Sequence, residues 1–288
     1  MTYDLTNEKT VKQILARHGI VLSKARGQNF LINPTVCPRM AEASGATKQD
    51  GVLEIGPGVG VLTAQLAQVA GKVVSVEIDK GLPPVLAETL ADFDNVTVIE
   101  GDILKTDLAA LLQTHFADMR VHVCANLPYY ITTDILMMLL ESGLPFASIT
   151  VMVQKEFADR LCAKVGSRQS GAVTVSAAFR AKCEKIFTVS AGSFLPPPKV
   201  DSTVMRLTPY PTPPVAVHDQ AWFFKVVKAG FHQRRKTLQN SLCSCLPLDK
   251  QQVASALQAI GLPSTARVEQ LTLDQLATLA NTLYTDLA

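Results

Sequence analysis

The sequence has no apolar run of the roughly 18 residues that a membrane-spanning helix needs, so no membrane contact is expected. Residues 1–20 mix charged and apolar side chains, unlike a secretory signal, and we expect a cytoplasmic protein. Cys-x-x-Cys pairs are also lacking: the six cysteines are scattered, and no neighbouring ligands accompany Cys243 and Cys245. A disulfide framework and a metal site are therefore not expected.

Charged residues are scarce, at 18%, whereas hydrophobic residues reach 48%, which favours a well-packed globular protein. The charges are unevenly distributed. Residues 49–154 hold four Lys and Arg against thirteen Asp and Glu, whereas the flanks hold seven against three and sixteen against nine. This pattern indicates a cofactor site in the middle and a polyanion held at the edges, although charge also varies along chains without functional meaning.

Strands and helices alternate regularly through the first two thirds of the chain. Predicted strands cover 51–55, 72–79, 96–102, 121–126, 148–154, 172–178 and 199–207. Predicted helices cover 6–20, 33–44, 62–69, 83–91 and 155–164, and, after a proline-rich linker at 209–214, 219–243, 248–260 and 271–284. The alternation indicates an α/β domain with a parallel sheet over 1–208, followed by a helical domain over 209–288.

Four of the predicted strands end at, or within two residues of, positions suited to ligand binding. Ile55, which leads into a glycine loop, is followed at intervals of 22, 25 and 24 residues by Glu77, Asp102 and Asn126. Ligands of open parallel sheets bind outside the carboxyl ends of the strands, where the strand order switches. We therefore expect these residues to share one crevice.

The crevice residues suit an adenosyl ligand. The glycines of Gly56–Gly60 permit close approach to the backbone, although they also suit a plain tight turn, and Glu77 is placed to accept hydrogen bonds from ribose hydroxyls. A nicotinamide cofactor and S-adenosylmethionine both fit this pattern. Val61, where a dinucleotide fingerprint needs glycine, and Asp102, which suits an adenine amino group, favour S-adenosylmethionine.

The run Asn126-Leu127-Pro128-Tyr129 is the most specific feature. The adenine N6 amine is a poor nucleophile, so its methylation needs acceptors that hold the amino hydrogens, such as the Asn126 carbonyl and a backbone carbonyl in a turn stiffened by Pro128. Tyr129 offers a face for stacking a splayed-out base. The alternative is an ordinary strand-to-helix turn. Phe194 is a candidate for closing the other face of the base, or equally a core residue.

These motifs, together with Gly27–Leu31, Asp201-Ser202 and Gln233–Leu238, resemble the ribosomal RNA adenine dimethyltransferases, most closely the bacterial small-subunit enzymes. The resemblance runs from about residue 10 to the C-terminus, with a local departure at Gly81–Pro84. It implies a Rossmann-like S-adenosylmethionine-dependent methyltransferase domain with a small all-helical C-terminal domain. It also implies N6-dimethylation of two adjacent adenosines in the 3′-terminal hairpin of 16S rRNA, on an immature 30S particle.

The resemblance also implies site residues. Cofactor contacts are expected at Asn29, Leu31, Gly56, Gly58, Glu77, Ile78, Asp102, Ile103 and Asn126, and target-adenine contacts at Asn126, Leu127, Pro128, Tyr129 and Phe194. Independently of the resemblance, basic side chains lead us to expect RNA phosphate contacts at Lys24, Arg26, Lys199, Arg234, Arg235 and Lys236. The alternative for the last three is a solvated helix face. A monomer is expected.

Three other functions stay open. The first is methylation of a 23S rRNA adenine, the activity of a related group of enzymes. Residues 233–238 and the helical tail disfavour it. The second is an RNA-binding assembly factor without activity, which the intact Asn126–Tyr129 run disfavours. The third is a nicotinamide oxidoreductase, which the missing glycine at position 61 disfavours.

Overall fold

The computed structural model describes residues 3–20 and 29–285 and divides the chain into two units. Unit 1 comprises Met1–Ala158 and Glu184–Pro209, and unit 2 comprises Asp159–Cys183 and Tyr210–Ala288. The helices, in chain order, are α1 (Glu8–Arg17), α2 (Val36–Ser44), α3 (Val61–Val69), α4 (Leu82–Thr89), α5 (Leu108–Phe116), α6 (Thr132–Glu141), α7 (Lys155–Leu161), α8 (Ala172–Arg180), α9 (Gln220–His232), α10 (Leu238–Cys245), α11 (Lys250–Ala259) and α12 (Leu273–Thr285).

The strands carry the main sheet of unit 1. They are β1 (Phe30–Leu31), β2 (Gly51–Ile55), β3 (Lys72–Glu77), β4 (Val96–Glu100), β5 (Val121–Asn126), β6 (Phe146–Gln154), β7 (Ala181–Val189), β8 (Phe194–Leu195) and β9 (Ser202–Pro209). Seven of them form a sheet in the order β4-β3-β2-β5-β6-β9-β7. The first five strands in this order run parallel to one another, and β9 is antiparallel to β6. The expected parallel sheet is thus present.

The central strand β2 explains where the crevice forms. All five of its residues are buried, as expected of a strand covered on both faces. From β2 the chain passes outward to β3 and β4 and then returns to β5 on the other side, so Leu53 pairs with both Val74 and Val123. The strand order therefore switches between β2 and β5, and their carboxyl ends open the crevice.

A second, two-stranded sheet reinforces one side of this crevice. Strand β1 pairs antiparallel with β8, with Phe30 opposite Leu195 and Leu31 opposite Phe194. Both phenylalanines and Leu31 are buried in the apolar core of unit 1. The pairing fixes the chain that immediately follows Asn29 to the main body of unit 1.

Unit 2 is a helical assembly with its own apolar core. The rings of Phe179, Phe223 and Phe224 meet at centroid distances of 5.0 to 5.2 Å, and the Arg180 guanidinium lies 3.9 Å from the centroid of Phe224. Such aromatic pairs add to the stabilisation that burial provides. Val175 belongs to the same core.

The structure corrects three sequence-based predictions. Residues 172–178, predicted as a strand, belong to helix α8, whose Val175 and Phe179 pack into the core of unit 2. The helix predicted over 219–243 is two helices, because the chain leaves helical geometry after His232 and Thr237 caps α10. The predicted division at residue 208 places Asp159–Cys183 in the first domain, whereas in the structure these residues belong to unit 2. Strand β7 was not predicted.

None of the helices in the described part of the chain combines the length and apolarity required to cross a bilayer.

Candidate active site

A cavity of about 490 Å³ lies at the carboxyl ends of β2, β3 and β5. Its volume falls within the range of roughly 300–1,000 Å³ typical of small-molecule sites. Seven of the nine predicted cofactor contacts line it, namely Asn29, Leu31, Gly56, Gly58, Glu77, Ile78 and Asn126. The structure therefore brings most of the predicted set together, although the four loops that carry it lie far apart in sequence.

The glycine loop between β2 and α3 needs residues without a Cβ atom. Gly56, Gly58 and Gly60 adopt φ angles of 69°, 61° and 92°, in the left-handed region that favours glycine. A Cβ at Gly58 would stand 3.2 Å from the Phe30 ring, and one at Gly60 would stand 3.1 Å from Leu90. The loop is thus held close to its neighbours while its backbone faces the cavity.

Glu77 presents a fixed carboxylate to the cavity. Its Oε1 accepts a hydrogen bond from the Asp79 backbone N–H at 2.8 Å, and its Oε2 accepts one from Gly58 at 3.4 Å. Burial raises the pKa of Glu77, and these two backbone hydrogen bonds oppose the increase. The carboxylate is therefore oriented by backbone on two sides.

Glu54 is a second buried carboxyl in the cavity wall that the sequence analysis did not single out. Its Oε2 accepts hydrogen bonds from Thr63 Oγ1 at 2.7 Å and Ser75 Oγ at 2.6 Å. Burial raises its pKa to about 7, against the effect of both hydroxyls. In the sequence, an acidic residue inside the apolar run of β2 was the signal that could have indicated this buried carboxyl.

Two predicted cofactor contacts, Asp102 and Ile103, do not line the cavity. Strand β4 ends at Glu100, and the Asp102 Oδ1 accepts a hydrogen bond from the Leu104 N–H at 3.0 Å, which caps a short 3₁₀ helix at Ile103–Lys105. Ile103 is buried. The strand ends earlier than predicted because the last two residues of the predicted strand form the capping turn instead.

The loop after β5 presents acceptors next to the cavity. The Asn126 Nδ2 donates to the Asn29 carbonyl at 3.4 Å, which turns the amide oxygen away from that contact. The Pro128 carbonyl accepts hydrogen bonds from Thr132 Oγ1 at 2.9 Å and from the Ile131 N–H at 3.3 Å. The Leu127 carbonyl accepts none from the residues that the structure describes.

The aromatic residues near this loop differ in exposure. Tyr129 is partly buried, and its hydroxyl lies 2.7 Å from Ser202 Oγ, whereas Tyr130 is 69% exposed and lines the cavity. Phe194 is only 2% exposed and lies in the core of unit 1, opposite Leu31. Of the two interpretations of Phe194, the structure shows the core position, because β8 turns this side chain inward.

The predicted RNA contacts fall into three groups. Lys24 and Arg26 lie outside the described residues. Lys199 is exposed in unit 1. Arg234, Arg235 and Lys236 are exposed in unit 2, in the loop between α9 and α10 rather than on a continuous helix, and the Arg234 Nη2 donates to the Arg168 carbonyl at 2.8 Å.

The strand order and the placement of the cavity define a Rossmann-like, S-adenosylmethionine-dependent methyltransferase fold. A dimethyladenosine transferase from Plasmodium falciparum superposes with a TM-score of 0.72 at 26% identity, covering 86% of this chain and 95% of that one. The 23S rRNA methyltransferase ErmE superposes with a TM-score of 0.69 at 29% identity, covering 89% of this chain and 100% of that one.

The family model of ribosomal RNA adenine dimethylase matches residues 22–285, and the chain belongs to this family. It is similar to the ribosomal RNA small subunit methyltransferase A of Geobacillus thermodenitrificans, at 46% identity over 98% of both chains. The protein of the same name from Shouchella clausii is 45% identical over 99% of this chain and 97% of that one. The protein is therefore an rRNA adenine dimethyltransferase, which rules out the oxidoreductase and non-enzymatic alternatives.

Proposed function

We propose that this enzyme dimethylates the N6 amino groups of two adjacent adenosines in the 3′-terminal hairpin of 16S rRNA, acting as a cytoplasmic monomer on immature 30S particles. The observation that carries the chemistry is that the Glu77 carboxylate and the Asn126 amide line one cavity, at the carboxyl ends of β3 and β5. The small-subunit names of the similar proteins support the choice of rRNA.

The residues of the cavity fit S-adenosylmethionine. Glu77 offers oriented carboxylate oxygens to the ribose hydroxyls, and Ile78 beside it offers an exposed apolar side chain to the adenine ring. Gly56 has no atom within 4 Å of the position where a Cβ would stand, so the backbone there is open to a ligand. When bound, the cofactor supplies an electrophilic methyl group on its sulfonium.

The acceptors for the amino group are the Asn126 Oδ1 and the Leu127 carbonyl oxygen. The Asn126 Nδ2 is engaged with Asn29, so its oxygen is the end of the amide that faces a substrate amine. The Pro128 carbonyl is taken by Thr132 and Ile131, which leaves the Leu127 carbonyl as the backbone acceptor of the loop. Two acceptors hold both amino hydrogens in the ring plane and leave the nitrogen lone pair directed out of that plane.

This arrangement requires no strong base. The amino proton becomes acidic once nitrogen has gained the methyl group, and it leaves through the acceptor oxygens to solvent. Tyr129 stacks on the target base, with its ring held in place by the hydrogen bond to Ser202. Phe194 acts indirectly, since its burial fixes β1 and thereby Leu31 at the cavity wall.

Transfer assays on isolated ribosomal substrates test this proposal. The enzyme is incubated with labelled S-adenosylmethionine and immature 30S particles, mature 30S particles or protein-free 23S rRNA, and the modified nucleosides are identified by mass spectrometry. We expect N6,N6-dimethyladenosine at two adjacent positions of 16S rRNA, mainly in the immature particles. Transfer to 23S rRNA alone would contradict the proposal and would favour the function of the ErmE enzyme, whose fold is similar.

A further inference from the structure

Two apolar side chains on the rim of the active-site cavity are unusually exposed. Tyr130 is 69% exposed and Ile78 is 61% exposed, whereas the next most exposed large apolar side chain of the described residues, Val200, reaches 44%. Both line the same cavity. Single exposed apolar residues are common on protein surfaces, but the coincidence of the two most exposed ones at one cavity indicates that this rim is covered during function.

The two side chains lie beside different parts of the site. Ile78 follows Glu77, on the side that holds the cofactor in the proposed function. Tyr130 follows the loop after β5, which carries the proposed acceptors Asn126 and Leu127, and it precedes α6. The hydroxyl of its neighbour Tyr129 is bound to Ser202, whereas the Tyr130 side chain makes no hydrogen bond or ring contact with the described residues. Its ring is therefore available to a ligand on the acceptor side of the cavity.

We propose that Tyr130 forms a stacking subsite for the base of the nucleotide next to the target adenosine. The inference rests on the proposed function, which places the target amine at Asn126. Four residues span at most about 14 Å, so Tyr130 lies within reach of the neighbouring nucleotide of a splayed-out strand. Proteins that bind single-stranded RNA stack successive bases on aromatic rings, and an exposed tyrosine at the mouth of a base pocket provides such a ring.

The subsite is tested by combining a side-chain change with a base deletion. Tyr130→Ala, Tyr130→Phe and wild-type enzyme are assayed on immature 30S particles whose ligated synthetic 3′ segment is intact or abasic on the 5′ or 3′ side of the target. Tyr210→Ala, which removes an exposed tyrosine of unit 2, is the matched control. KM for the particles, kcat, and the Kd for S-adenosylmethionine are measured separately.

We expect Tyr130→Ala to raise KM for the intact particles about tenfold, while Tyr130→Phe and Tyr210→Ala stay near wild type. One abasic substitution should raise KM for wild type to a similar extent and leave the Tyr130→Ala value unchanged, because the two changes remove the same contact. Independent effects of the two changes, or a weaker Kd for S-adenosylmethionine without a change in KM for the particles, would overturn the inference. Absence of transfer by the wild type to intact particles would instead contradict the proposed function.

Discussion

The Asn126 Nδ2 donates a hydrogen bond to the backbone carbonyl of Asn29, with 3.4 Å between the two atoms. The bond connects the end of β5 to the residue before β1, which lies 97 positions earlier. It orients an amide whose two ends are chemically different, because only the oxygen can accept a hydrogen from a substrate amine. The segment that carries Asn29 therefore helps to orient the amide that we propose as the acceptor, and it also lines the cavity.

Asn126→Ala should lower kcat for methyl transfer by about 100- to 1,000-fold, because it removes one of the two proposed acceptors for the amino group. Asn126→Asp keeps an acceptor oxygen but cannot donate to Asn29, so we expect activity between those of wild type and Asn126→Ala. Single-turnover transfer and calorimetric binding of S-adenosylmethionine separate chemistry from cofactor affinity. Full activity in Asn126→Ala would refute the amino-group mechanism.

Gly56→Ala and Gly58→Ala form a matched pair in the glycine loop. Both replace a residue with positive φ, at a cost of about 1–3 kcal/mol in backbone strain, but only the Cβ at position 58 also meets the Phe30 ring, at 3.2 Å. We therefore expect both variants to unfold at lower urea concentration, and Gly58→Ala to be the less stable. Equal urea midpoints would show that the Phe30 ring yields without cost.

The stability of the apoenzyme should depend on pH through Glu54. Its pKa is raised by burial from 4.5 to about 7, so its contribution to the free energy of unfolding is complete below about pH 4.5 and is lost as pH rises through about 7. The neighbouring titratable groups are Glu77, Cys37 and Cys124, and burial raises the pKa of each. Between pH 5 and 8 this loss amounts to on the order of 2 kcal/mol.

Urea unfolding of wild type and Glu54→Gln at pH 5 and pH 8 measures this dependence. Glutamine cannot ionise, so the difference in unfolding free energy between wild type and variant should change with pH in favour of the variant at pH 8. The m-values should agree, since both proteins expose similar surface on unfolding. A pH-independent difference would mean that Glu54 titrates near its ordinary value.

Arg235→Glu and Lys236→Glu should weaken binding to 16S rRNA and make the log–log salt dependence of affinity shallower by about 1 for each lost phosphate contact. Both side chains are exposed. Arg234 is a different case, because its guanidinium donates to the Arg168 carbonyl within unit 2. Arg234→Gln should therefore also lower the thermal midpoint, and a salt slope unchanged in Arg235→Glu and Lys236→Glu would exclude this loop from the RNA contact.

The sequence was sufficient to predict the parallel sheet, because strands buried on both faces appear as short continuous apolar runs. It was insufficient for α8, where Val173-Thr174-Val175 alternates like a strand. Val175 and Phe179, four positions apart, lie on one face of this helix and pack in a core that also contains Phe223. The partners that favour the helix lie more than 40 residues further along the chain, out of reach of any local pattern.

The site, like the fold, was predictable from the sequence only in part. Residues at strand ends, such as Glu77 and Asn126, were predictable from the regular spacing of the strands, and both line the cavity. Exposure was not predictable, and the structure distinguishes Tyr129 from Tyr130 and shows Phe194 to be buried. Adjacent aromatic residues look alike in a sequence, and only the path of the backbone determines which ring reaches solvent.

Unit 2 is built from two separate stretches of the chain, and this has a consequence for how the protein folds during synthesis. Helix α8 ends at Arg180, but its partner helices continue to Thr285, about 100 residues later. At synthesis rates of roughly 5–20 residues per second, Val175 and Phe179 emerge roughly 5–20 s before their packing partners are complete. A chain cut at residue 209 would leave both side chains permanently without that core, so the C-terminal helices cannot be gained or lost as a simple terminal appendage.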